Sequence, residues 1–119
     1  MSEFPEGVGP HEGRELDLMR LRQKDVAMFV GYEPEGLDAF LSEGGFASFS
    51  DTRHVGDNRY PVLFVYRDGY EAAARRLCDL TRNPPKGFEA DHEHEVGRIL
   101  GYTTQQVEAF LAHARRQNA

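Results

Sequence analysis

Tyr60-Pro61-Val62-Leu63-Phe64-Val65-Tyr66-Arg67 is the stretch whose reading decides the fold class. It is rich in β-branched and aromatic residues, which favour extended backbone. Its apolar run from Val62 to Tyr66 is continuous rather than alternating, so the strand needs cover on both faces, by helices on at least one. Pro61 belongs at the strand start, where no ladder donor is required. Just upstream, Val55-Gly56-Asp57-Asn58 supply turn chemistry. Residues 46–53 before them form a weaker strand, and together the two segments predict a β-hairpin.

Working outward, Asp68 heads a helix with Glu71 at capping-box spacing. Tyr70, Ala74 and Leu77 mark its buried stripe, and Asn83-Pro84-Pro85 end it. Asp91 is a plausible N-cap for the next helix. Val96, Ile99 and Leu100 face inward there, and Gly101 terminates it. Thr103 with Gln106 repeats the capping-box spacing ahead of a closing helix over about 104–116, which buries Val107, Phe110 and Leu111. On the other side of the hairpin, Leu18, Leu21, Val26, Phe29 and Val30 give a helical stripe. The segment reads as one helix, or as two divided by a turn near Gln23–Lys24 that leaves a short helix at 24–30. Gly31 then stands at the C′ position. Pro34 opens a helix over about 34–43 that presents Leu37, Phe40 and Leu41 and stops at Gly44-Gly45. Residues 1–13, with two prolines, three glycines and three glutamates, read as a flexible leader ahead of a single domain at 14–119.

The chain also carries an internal duplication. Residues 26–41 and 96–111 align at an unbroken offset of 70, with Val26/Val96, Gly31/Gly101, Tyr32/Tyr102, Ala39/Ala109, Phe40/Phe110 and Leu41/Leu111 identical. Each copy reads as two short helices joined by a Gly-Tyr turn. The expected fold is therefore α+β: duplicated helix–Gly-Tyr–helix units around a β-hairpin and a central helix.

Composition narrows the function. The 119 residues carry a net charge of −6, with 14 Lys+Arg among 20 Asp+Glu. This weighs against nucleic acid, which needs a concentrated cationic surface. A helix-turn-helix suggests DNA binding, yet the second helices read Glu35-Gly36-Leu37-Asp38 and Gln105-Gln106-Val107-Glu108 and lack bases. Arg20, Arg22 and Lys24 form the densest basic stretch. They read as the solvated face of a helix, with an anion patch as the alternative. No apolar run approaches the length of a membrane span, and the acidic start lacks the features of a signal peptide. The single cysteine, Cys78, reads as a small buried hydrophobe and points to a reducing, cytoplasmic location.

From about Tyr60 to Leu111 the chain resembles an uncharacterised bacterial family of unknown function. Val65-Tyr66-Arg67, His94-Glu95-Val96-Gly97, Leu100-Gly101-Tyr102, Val107 and Phe110 carry the likeness. Thr103 stands where the family has Pro, Glu108 shifts its acid, and its later Trp- and Tyr-containing segment has no counterpart before Ala119. The resemblance implies a bacterial origin and transfers no activity.

The candidate site residues follow from polarity and spacing. In Asp91-His92-Glu93-His94-Glu95, His94 and Glu95 are the candidates for catalysis. Two histidines at i, i+2 on a helix point about 200° apart, which suits a first-turn acid cluster better than a metal site. No metal and no cofactor is expected. Arg53, His54 and Arg67 around the hairpin, with Tyr102, are candidates for binding an anion. Tyr32 and Tyr102 are expected to pack over the turns. The reading is a non-catalytic binding or regulatory module for a protein partner or small anionic ligand, with a homodimer left open. The alternative is a small enzyme with His94, Glu95, Arg67 and His54 in one cleft.

Overall fold

A computed structural model describes residues 14–82 and 90–117, the side chains of 114–117 excepted. The expected leader and the Asn83-Pro84-Pro85 stop lie outside the described residues. The chain is α+β. Strands β1 (Val26–Val30), β2 (Phe46–Val55) and β3 (Asn58–Arg67) form an antiparallel sheet in the order β1-β3-β2. The predicted hairpin is present, with Val55 opposite Asn58 and a two-residue loop at Gly56-Asp57. Gly56 has φ +58°, as the first central position of a type II′ hairpin turn requires.

β3 lies centrally and is covered on both faces. Leu63 and Val65 pack with Met19, Phe29 and Phe40, beneath α1 (Glu15–Arg20) and α2 (Leu37–Ser42). Val62 and Phe64 pack with Ala74, Leu77 and Cys78 of α3 (Glu71–Arg82), and with Val96 and Ile99 of α4 (Ala90–Ile99). The last helix, α5 (Thr104–Gln117), packs on α4. Pro61 is four residues into β3 rather than at its start. Gly31, just past the end of β1, donates its N–H to the Pro61 carbonyl at 2.8 Å. Pairing with β1 therefore ends where proline can no longer supply a donor.

The helix expected to reach Val30, whether continuous from Leu18 or divided near Gln23–Lys24, stops instead at Arg20, and Val26–Val30 is β1. Both periodicities fit Val26-Ala27-Met28-Phe29-Val30, because a short apolar segment buried on both sides satisfies either. Ala27 and Phe29 join the α1/α2 side of the core, while Val26 and Met28 join the α3/α4 side. The alternation fits a strand, and β3 offers its free edge to pair with. The two sequence copies thus differ in fold over their first halves. What they share is a left-handed glycine (Gly31 φ +81°, Gly101 φ +92°), a tyrosine and a following helix. That helix also begins later than expected in the first copy, after Gly36, so Pro34 lies outside it.

α1 and α4 end with the same hydrogen-bond pattern. Arg22 N–H donates to Met19 O and Gln23 N–H to Leu18 O; Gly101 N–H donates to Arg98 O and Tyr102 N–H to Gly97 O. These are Schellman ends, whose C′ residue is left-handed. Glycine fills that position in α4. In α1 it is Arg22, at φ +60°, the one non-glycine residue with positive φ among the described residues. A left-handed side chain costs about 1–2 kcal/mol, against about 0.5–1 kcal/mol for glycine's extra chain entropy. Arg22→Gly should therefore stabilise the fold by about 0.5–1 kcal/mol, measurable as a raised urea midpoint.

Other ends are as expected or slightly displaced. Thr103 and Gln106 form the reciprocal capping box, with bonds of 2.8 and 3.1 Å. α3 starts at Glu71 rather than Asp68, after a turn in which Asp68 N–H reaches Gly45 O. Tyr70 is consequently 41% exposed, while Cys78 takes a place in the buried stripe.

Candidate functional site: a cationic groove beside α4

The turn between α1 and β1 brings Arg22 and Lys24 against α3 and α4. With Arg76 of α3 and Arg98 of α4 they line a groove of about 390 Å³ that also contains Asp25, Glu95 and the exposed ring of Tyr70. Four bases against two acids make this wall locally positive on a chain of negative net charge. Arg76 holds Glu95 through two bonds of 2.8 and 3.1 Å, which keeps the Glu95 carboxyl below its ordinary range. Asp25 is held by Arg67 at 3.0 Å. Arg22 and Arg98 have no ion pair of their own among the described residues.

Lys24 is the least expected member. It is 3% exposed, not part of a solvated helix face. Its Nζ donates to the Leu100 carbonyl at 2.5 Å and lies 5.6 Å from the centre of the Tyr102 ring. That carbonyl belongs to the negative end of α4, where an ammonium is favoured. Burial nevertheless dominates and lowers the Lys24 pKa to about 8, with Glu15 opposing the shift. Gly101 makes this docking close, since a Cβ there would stand 3.2 Å from Gln23 O and 3.4 Å from Lys24 Cα.

An adjoining groove of about 470 Å³ shares Glu95 and Arg98 and adds Asp91, His94, Tyr102 and Thr104. Three of the expected site residues, His94, Glu95 and Tyr102, therefore meet. The other three do not join them. Arg53 is turned inward, bonded to Asp51 (3.2 Å), Thr81 (2.8 Å) and the Cys78 carbonyl (3.1 Å). Asp51 is driven upward by burial, but Arg53 and Arg82 outweigh this and leave its carboxyl below its ordinary range. His54 is exposed near the hairpin tip, opposite Arg59. Arg67 sits at the far end of β3, roughly 23 Å along the strand from Arg53's partner Tyr60. It is bound to Asp25 and the Met19 carbonyl and lies over the Phe46 ring. These arginines hold the fold together, and the four-residue cleft of the enzyme reading does not form.

No family model, curated protein or solved structure matches this chain. The groove must therefore be read from its own residues. Among the described residues, no group of three or more His, Cys, Asp or Glu side chains could hold a metal ion. Tyr32 and Tyr102 line different grooves; Tyr32 packs edge-on against Phe29 at 5.7 Å. Nor does any described helix have the length and apolarity to cross a membrane.

Sequence reasoning missed Arg22, Lys24, Arg76 and Arg98 as a group. One signal was present: the chain has twelve arginines and only two lysines, and one lysine directly precedes the Asp25-Val26 start of an apolar segment.

Proposed function

We propose that this chain is a binding module that takes a small anion in the groove of Arg22, Lys24, Arg76 and Arg98. The observation that carries the reading is Arg22. Its backbone position calls for glycine, which the matching end of α4 uses, and yet it carries an exposed guanidinium on the groove wall. Strain kept at a wall of like-charged groups is a mark of function rather than stability. Arg22 and Arg98 offer planar donors for a carboxylate or phosphate, and Tyr70 offers a flat apolar surface beside them. A cytoplasmic location belongs to the same proposal, supported by a lone buried thiol.

Thermal shift with inorganic phosphate and with citrate, at matched ionic strength against chloride, tests this. Either anion is expected to raise the melting temperature of the unmodified protein. Arg22→Gly should melt higher than the unmodified protein without ligand and lose most of the anion-induced shift. Arg98→Gln should lose part of that shift. Equal shifts in all three proteins would sink the proposal.

A further inference from the structure

The groove beside α4 has an apolar floor as well as a charged wall. Ala73 of α3 and Ile99 of α4 are half-buried: each packs against the core cluster of Val62, Phe64 and Leu77 and also lines the groove. Tyr70 stands beside them at 41% exposure. Its side chain belongs to neither core cluster and makes no hydrogen bond or ring contact among the described residues. A large aromatic ring left in water forgoes the stabilisation that covering it would bring. We propose that the groove selects an aromatic carboxylate, an inference that rests on the anion-binding reading above.

The charge left free sets the anion. Arg76 is held by Glu95 and Asp25 by Arg67, so these groups cancel in pairs. Lys24 donates to the Leu100 carbonyl. Arg22 and Arg98 remain, both exposed and without an ion pair among the described residues. Either can take one carboxylate through two parallel bonds. A polyphosphate carries more charge than two guanidiniums offset, on a chain of net charge −6. A small inorganic anion uses the guanidiniums but leaves Tyr70, Ala73 and Ile99 wet. An aromatic carboxylate uses both features, its carboxylate on Arg22 or Arg98 and its ring over the floor. A flat ring suits this site better than an aliphatic one, because tyrosine rings and guanidinium planes both stack on aromatic faces. The groove's volume of about 390 Å³ lies within the span of small-molecule sites, roughly 300–1,000 Å³.

The test titrates the ¹⁵N-labelled full chain with benzoate, benzamide, cyclohexanecarboxylate and inorganic phosphate at matched ionic strength, followed by amide chemical shifts. Benzoate and cyclohexanecarboxylate share a charge and nearly a size, and the second is the more apolar, so a preference for benzoate reports the flat ring. Benzoate is expected to bind about three- to tenfold tighter than cyclohexanecarboxylate. It should bind at least about tenfold tighter than benzamide. Tyr70→Leu, at an exposed position, should erase the first ratio and leave phosphate binding unchanged. Arg22→Gln/Arg98→Gln should erase the second ratio together with phosphate binding. Phosphate binding with benzoate no tighter than cyclohexanecarboxylate, or a benzoate preference that survives Tyr70→Leu, overturns the aromatic class and leaves the anion-binding reading standing. Benzamide binding as tightly as benzoate, or no binding by any of the four probes, removes both.

Discussion

Raising the pH from 8 to 10.5 is expected to stabilise this fold by about 3 kcal/mol through Lys24 alone. In the unfolded chain the amine keeps its proton until about pH 10.5, whereas in the folded protein burial removes it near pH 8. Between those values the unfolded state binds more protons, so stability rises with pH. Below pH 8 both states are protonated and the cost of the buried charge is fully present; above 10.5 it is gone. Urea unfolding of the unmodified protein and of Lys24→Met across this window checks the point. Other groups titrating there cancel in the difference, which should grow toward low pH in favour of the methionine variant. Loss of the bond to Leu100 O offsets about 1 kcal/mol of that gain at every pH. A pH-independent difference would show that the ammonium is well solvated.

Gly97→Ala should destabilise the protein by about 1–3 kcal/mol, even though alanine is the better helix former by about 1 kcal/mol. Gly97 is buried where α4 crosses α5, and a Cβ there would fall well under 3.0 Å from Val107 Cγ2. Val107 is itself 6% exposed and β-branched, so it has little freedom to turn aside. The clash must then separate the two helices. Adding Val107→Ala to Gly97→Ala should restore much of the loss, although Val107→Ala alone costs stability through its cavity. Thermal melts of the four proteins in this double-mutant cycle supply the coupling. If Gly97→Ala melts higher than the unmodified protein, helix propensity outweighs the contact.

How far the sequence foretold this varies with the physics behind each feature. β3 was legible because a continuous apolar run between turn signals has few other uses. The Thr103/Gln106 box and the Gly101 stop were legible because they are local hydrogen-bond chemistry. β1 was not, since Val26 to Val30 satisfies helix and strand periods alike and only the open edge of β3 selects between them. The duplication reinforced the error, because its identical residues sit at positions that bury side chains under either backbone. At the candidate site, polarity led to His94, Glu95 and Tyr102, which do share a groove. Arg53 and Arg67 were misread, because nothing in the chain order shows that Cys78, Thr81 and Asp25 lie ready to bind them. Lys24 was misplaced for the same reason: its burial depends on Leu100 and Tyr102, more than seventy positions away.

The position of β3 between its neighbours has a further consequence for the order of assembly. β2 and β3 are joined by a two-residue turn and can zip from Val55 and Asn58 within microseconds. β1 is made first and docks last, because its partners lie from 32 residues away (Val30 with Val62) to 40 (Val26 with Tyr66). Closing that loop carries the larger entropic cost and should limit the folding rate. Until then Val26 to Val30 has no strand to join, and during synthesis its backbone is free to coil as readily as to extend.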